Sequence, residues 1–358
     1  MEVCADPLTQ PRAVCGDGTT FRFAYRRAEG PSAGLLVYFR GGGGCTDYIS
    51  CWGRDGQGGA GRRVATLENE RSSPELLPVV RRTFGYFDQQ DPSALYADFD
   101  ILYVPYCTGD GGLASREVTF TRPADADPSA PETRTTYFHG LDNRAVVVDF
   151  AARTFGTPSR LVIAGSSAGA YASLGAVPDL VAAFPGVADV AYHGEGGVGV
   201  GLPNQQTLVQ QVVGGHDGQQ GRPYVRFVQF SFESDAIQQN FAPPPYTQEP
   251  AAFRAELRRL VQARAAAFPD NYRYYLLPGT CHTLALQVAL YQEFTRTGAM
   301  WRPTMPAVRP NPVLVEDGLP FVEYLRGLDR GSGPFGATHP NVGPDEGVVS
   351  GECPLPGG

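Results

Sequence analysis

The sequence predicts an α/β protein, a mostly parallel central sheet flanked by helices. Three observations carry this. Short, near-continuous apolar runs recur along the 358 residues, as in strands covered on both faces. Stretches with helical spacing lie between those runs. Hydrophobic residues make up 42% of the chain, enough to bury a sizeable core.

The first apolar run is Leu35–Phe39 (LLVYF). Residues 101–106 (ILYVPY), 161–164 (LVIA), 225–232 (VRFVQFSF) and 272–277 (YRYYLL) follow it. Residues 141–155 show one helical pattern. Residues 251–268 show a clearer one, with Phe253, Leu257, Leu260 and Val261 on one face and Arg and Glu opposite. Loops are expected where Gly, Pro and polar residues gather, at 53–61, 121–133, 214–221 and 242–250. None of them separates domains. Residues 1–358 therefore read as a single domain, with an irregular Gly/Pro-rich tail from about 330.

Composition excludes several classes of function. The net charge is −8 and every basic side chain is Arg, without a basic cluster. That argues against nucleic acid and against anionic membranes as partners. No run of eighteen apolar residues occurs, so no transmembrane helix is expected, and residues 1–7 do not open a signal peptide. The seven cysteines are Cys4, Cys15, Cys45, Cys51, Cys107, Cys281 and Cys353. Two close pairs, Cys4/Cys15 and Cys45/Cys51, would close short loops, which fits an oxidising compartment and a secreted protein. The odd count leaves one thiol over, and Cys281 with Cys353 is the third candidate pair. No CxxC occurs and no His stands at ligand spacing to a Cys pair, so no metal is expected.

The strongest chemical signal is Gly165-Ser166-Ser167-Ala168-Gly169. It follows an expected strand and precedes a small-residue helix starting near Ala168, the context of a nucleophile elbow. Gly30-Pro31-Ser32-Ala33-Gly34 matches the same expression but precedes a strand, so it reads as a turn. A serine hydroxyl needs a base. Of His139, His193, His216, His282 and His339, only His282 follows a late strand through a short turn; the others read as solvated or core histidines. The acid that orients the imidazole should sit after an earlier strand, and Asp235 does. Its neighbour Glu233 is the competitor, read as a solvated loop carboxylate. Residues 39–45 (FRGGGGC) follow the first strand, and their glycines let backbone N–H groups approach a developing oxyanion. A phosphate cradle is disfavoured, because no Lys-Ser/Thr follows the glycines.

Together these segments resemble the pectin acetylesterase/Notum family of serine hydrolases, its bacterial branch above all. The matching stretches are FRGGGGC at 39–45, VPYCTGD at 104–110, YFHGLDN at 137–143, AGSSAG at 164–169 and the loops of Asp235 and His282. The resemblance implies an α/β-hydrolase-like fold and a secreted, monomeric carboxylesterase without a cofactor. It implies an ester substrate, O-acetyl groups on a polysaccharide such as pectin. It carries the triad onto Ser167, Asp235 and His282 and the oxyanion donors onto Gly42, Gly43 and Ala168. Tyr106, Asp110 and Glu195, in segments beside the pocket, are candidates for substrate contacts. The chain departs from the family pattern at Gly43-Gly44, Gly111-Gly112-Leu113, Ala170 and His193–Gly197. These departures leave open longer-chain, aromatic or polymeric esters as substrates. A silent binding protein on the same scaffold is the alternative from another class.

Overall fold

The structure is a computed structural model. It describes residues 2–6, 8–56, 95–280 and 282, then 315–316, 319–320, 335, 341 and 343. These residues form two compact units, one comprising the described residues up to 187 except 95–97, the other comprising 95–97 and those from 188 onward. The fold class is α/β with mostly parallel strands, as the apolar runs imply.

The first unit contains β1 (Glu2–Cys4), β2 (Arg22–Arg26), β3 (Leu35–Phe39), α1 (Tyr48–Trp52), β4 (Asp100–Val104), β5 (Arg116–Thr121), β6 (Thr133–Phe138), α2 (Gly140–Phe155), β7 (Arg160–Ser166) and α3 (Ala168–Ala183). Its sheet runs in the order β1-β2-β4-β3-β7. The β3 strand is parallel to both neighbours, with Phe39 beside Val104 and Gly165. All five residues of β3 and of β4 are buried. The helix α3 packs on β7 and β3, and α2 packs on α3 and β4. The strand expected over 101–106 stops at Val104, where Pro105 cannot donate to a ladder. The expected loop at 121–133 is the turn of a hairpin, in which Thr121 pairs with Thr133.

One expected disulfide is corrected. Cys15 is bonded to Cys107, 92 residues away, and not to Cys4. The turn at Cys15 is fastened to the segment after β4, where Gly16 N donates to Cys107 O at 2.7 Å. Cys4, a free and exposed thiol, sits on β1 opposite Arg22. Strand pairing, not closeness in sequence, decides which sulfurs meet. Cys45 and Cys51 are joined across six residues.

The second unit contains β8 (Asp189–Glu195), α4 (Pro203–Gly214), β9 (Arg226–Phe232), α5 (Ala236–Phe241), α6 (Pro250–Ala267), β10 (Tyr272–Leu277) and the short antiparallel pair β11 (Val315–Glu316) and β12 (Leu319–Pro320). Strands β8, β9 and β10 are parallel neighbours. Phe253, Leu257, Leu260 and Val261 of α6 are buried with Val198, Val200, Ala242 and Leu276, the face the sequence marks as apolar. The tail reaches the outer side of β10, where Phe335 N donates to Asp270 O and Tyr274 N donates to Asn341 Oδ1. Cys281, Cys353, His339 and residues 57–61 lie outside the described residues.

Candidate active site

The chain leaves β7 at Ser166 and enters α3 at Ala168, so one residue, Ser167, makes the whole turn. Its dihedrals are φ 55° and ψ −125°. Ser167 and Gln220 are the two non-glycine residues at positive φ among the described residues. Such a conformation costs on the order of 1–3 kcal/mol and persists only where its surroundings impose it. Here they do. A Cβ on Gly169 would strike Phe39 O and lie 2.6 Å from Arg40 O, and one on Gly41 would lie 2.6 Å from Ser167 Cβ. The end of β3, the elbow and the start of α3 thus meet backbone to backbone. Tyr38 Oη donates to the buried Ser166 Oγ at 2.9 Å, fixing the residue before the turn. Ser167 itself is half-buried. The second pattern match differs: Ser32 Oγ donates to Gly34 O within a turn before β3.

The glycine loop lies against this elbow. It carries Gly42 and Gly43, and Gly43 needs glycine's freedom at φ 80°. Tyr106 Oη donates to Gly43 O at 2.9 Å and accepts from Gly111 N at 2.7 Å. Burial, helped by the charge of Asp110, pushes the Tyr106 phenol well above its ordinary value, so it stays a donor. Asp110 accepts from Gly112 N and Thr108 Oγ1 on one oxygen and from Ala114 N and Gly140 N on the other. The polar atoms of both residues, expected to contact substrate, are engaged by their own chain. They brace the loops beside Ser167.

In the second unit, Asp235 lies in the turn after β9 and caps α5. It is wholly buried. Its Oδ1 accepts from Ile237 N at 3.0 Å and Gln238 N at 2.9 Å, and its Oδ2 accepts from Gln238 Nε2 at 2.7 Å. His282 Nδ1 lies 2.9 Å from both oxygens. A ring nitrogen facing a carboxylate is the protonated one, which directs Nε2 away from the acid. The loop before His282 is bound to the acid's own turn: Ser234 N donates to Gly279 O and Ala236 N to Thr280 O. Burial pushes the Asp235 carboxyl up, while the bonds from His282 and Gln238 pull it down; burial wins.

Glu233 is not the solvated carboxylate the sequence suggested. It is fully buried and accepts from Arg258 Nε at 2.7 Å. That pair ties the end of β9 to α6, and Asp235 is the carboxylate that meets the imidazole. The described rival histidines are core residues. His139 Nδ1 lies 2.7 Å from Arg12 O, His216 Nδ1 lies 2.7 Å from Val212 O, and His193 Nδ1 lies 3.3 Å from Tyr96 Oη. Glu195, at the end of β8, is also buried. Among the described residues no cluster of His, Cys, Asp and Glu could hold a metal ion.

Sequence reasoning missed Gln238 and Arg258. Gln238 had a signal, since an Asp followed three residues later by Gln is the spacing of a helix-capping pair. Arg258 had none, because its apolar-face neighbours on α6 do not reveal a buried ion pair.

A serine elbow of this kind on mostly parallel strands belongs to the α/β class of hydrolases. The sequence model of the pectinacetylesterase family matches residues 5–212, more than half of the chain, so the chain belongs to the pectinacetylesterase family and is an esterase-type hydrolase. A comparison with curated protein sequences yields no match. Among solved structures, two crystal forms of the Wnt deacylase Notum from Drosophila are similar. One is 15% identical at a TM-score of 0.56, covering 89% of this chain and 90% of Notum. The other is 16% identical at a TM-score of 0.57, covering 91% and 92%. At that identity the likeness concerns the fold.

Proposed function

We propose that the chain removes O-acetyl groups from a polysaccharide such as pectin by a serine mechanism. The observation that carries this is Ser167, held at φ 55° where β7 turns into α3. In the proposed cycle His282 Nε2 takes the proton of Ser167 Oγ as that oxygen attacks the ester carbonyl carbon. Asp235, bonded to Nδ1, stabilises the imidazolium. Backbone N–H groups of Gly42, Gly43 and Ala168 hold the oxyanion. The imidazolium gives its proton to the departing sugar oxygen, leaving an acetyl-serine. Water then attacks the acetyl carbon, gives a proton to His282, and acetic acid leaves as Ser167 Oγ regains that proton. No cofactor enters. On this reading residues 1–358 act as a single catalytic domain.

We take the protein to act outside the cell as a monomer on such an ester substrate. The disulfides Cys15–Cys107 and Cys45–Cys51 support the oxidising compartment. Among the described residues no helix is long and apolar enough to cross a membrane. The test is Ser167→Ala, which should abolish p-nitrophenyl acetate hydrolysis and fluorophosphonate labelling while the far-ultraviolet circular dichroism is unchanged. Retained hydrolysis would remove Ser167 from the mechanism. A p-nitrophenyl ester series separates substrates, since a maximum at long-chain esters would replace deacetylation by lipid-ester cleavage.

A further inference from the structure

We propose that Gln238 is a positioning residue of the catalytic acid, coupling the Asp235 carboxylate to the turn that backs His282. The proposal rests on the triad assignment above. Gln238 Nε2 donates to Asp235 Oδ2 at 2.7 Å and to Ser231 Oγ at 2.8 Å. Its Oε1 accepts from Val198 N at 2.8 Å. Both ends of the amide are therefore used. Turning it over would set oxygen against carboxylate and NH2 against N–H, so the orientation has one solution.

Backbone donors hold only Oδ1 of Asp235. Oδ2 meets Gln238 and His282, so the amide fixes the carboxylate plane that the imidazole must match. The far end of the amide holds a segment that is itself fastened. Val198 O accepts from Arg264 Nη2 at 2.9 Å, and Gly197 O accepts from Gln229 Nε2 at 2.9 Å. Arg264 Nη1 and Tyr272 Oη both donate to Gln229 Oε1, at 2.7 Å and 2.6 Å. Gly196, next in the turn, faces His282: a Cβ there would lie 2.7 Å from the His282 carbonyl and 3.4 Å from Cε1. Gln238 thus connects the acid with the wall that touches the base.

The charged and titratable groups around Asp235 are few. His282 touches it from the loop after β10. The Glu233–Arg258 pair joins β9 to α6, and Arg264 and Tyr272 reach it only through Gln229 and Val198. Apart from His282, whose Nδ1 lies 2.9 Å from it, none of these groups donates to Oδ2 beside Gln238.

The experiment compares wild type, Gln238→Met and Gln238→Glu in kcat and KM for p-nitrophenyl acetate across pH, with rates normalised to active-site titre and thermal melts at each pH. Gln238→Met, which removes the donor, should lower kcat about tenfold, the loss of one charge-assisted hydrogen bond, with KM nearly unchanged. Gln238→Glu keeps the shape. While it holds a proton, the new carboxyl can donate to Asp235; once it ionises, two carboxylates face each other and the donor is gone. Its kcat/KM should therefore gain a basic limb that wild type lacks. Profiles superimposable on wild type in both variants, even with lowered melting temperatures, would overturn the proposal and leave Gln238 a structural residue. Ser167→Ala and Asp235→Asn run alongside: if they stay active the triad assignment fails, and if they are dead while the Gln238 variants match wild type only the present proposal fails.

Discussion

Tyr106→Phe offers a quantitative check on the glycine loop. The substitution keeps the buried ring and removes one oxygen. That oxygen donates to Gly43 O at 2.9 Å and accepts from Gly111 N at 2.7 Å. Two backbone groups lose a partner together. An orphaned buried polar group costs about 1–3 kcal/mol, and since Gly43 and Gly111 are only half-buried the lower end applies, about 2–3 kcal/mol for the pair. Gly43 then relaxes away from its φ of 80°. If its N–H and that of Gly42 receive the oxyanion, kcat should fall roughly 10- to 100-fold, less than the 10²–10³ lost when a donor is deleted outright. KM should hardly move, because the ground-state carbonyl does not use the hole. Urea unfolding reads the first quantity and p-nitrophenyl acetate kinetics the second. A stability loss with wild-type kcat would refute the assignment of Gly42 and Gly43 to the oxyanion. No stability loss would refute the bracing role of Tyr106.

Two further predictions concern stability. The carboxyl of Asp235 titrates above its ordinary value of 3.8 in the fold, chiefly through burial. From 3.8 up to its folded value the native chain holds a proton that the unfolded chain has released, so this group's contribution to stability falls as pH rises through that window. In a His282→Leu background, which silences the imidazole, adding Asp235→Asn should therefore raise the melting temperature relative to the single variant by an amount that grows with pH. A difference that shrinks with pH would contradict the burial argument. The Cys15–Cys107 bond closes a loop of 92 residues, for which loss of chain entropy in the unfolded state is worth about 4–5 kcal/mol. Cys15→Ala/Cys107→Ala should lose most of that in denaturant titration, and a loss near zero would mean that the unfolded chain is little constrained by the bond.

The strands that position the site were legible because they are buried on both faces. LLVYF at 35–39 and YRYYLL at 272–277 coincide with β3 and β10, and the helix over 251–268 differs from α6 by one residue at either end. Strands with mixed composition were not. The β8 strand carries His193 and Gly194 inside an apolar setting, and the hairpin of β5 and β6 is largely Thr and Arg, so neither shows an apolar run. Cys45 and Cys51 pair as expected, while the pairing of Cys4 with Cys15 failed for a related reason. Cys15 and Cys107 are brought together by a turn bonded to the far end of β4, a non-local fact that spacing cannot carry.

The same distinction governs the site. The turn at Ser167 was legible because a strained turn demands small residues on both sides, and Gly165 and Gly169 are the trace of that demand. The pairing of Asp235 with His282 was legible because each residue follows a strand. Tyr106 reads from sequence as a candidate substrate contact, and nothing local says that its hydroxyl also bonds Gly43 and Gly111. Gln238 reads as half of a helix cap, and its position is that of one. A capping glutamine ordinarily returns to the backbone N–H of the cap residue. Here the amide reaches the cap's carboxylate instead, because that carboxylate must also meet an imidazole and needs its second oxygen held. Local spacing specifies which residue stands at the third position of the helix. What it bonds to depends on the carboxylate's other contact, with the imidazole of His282, which is a property of the folded chain alone.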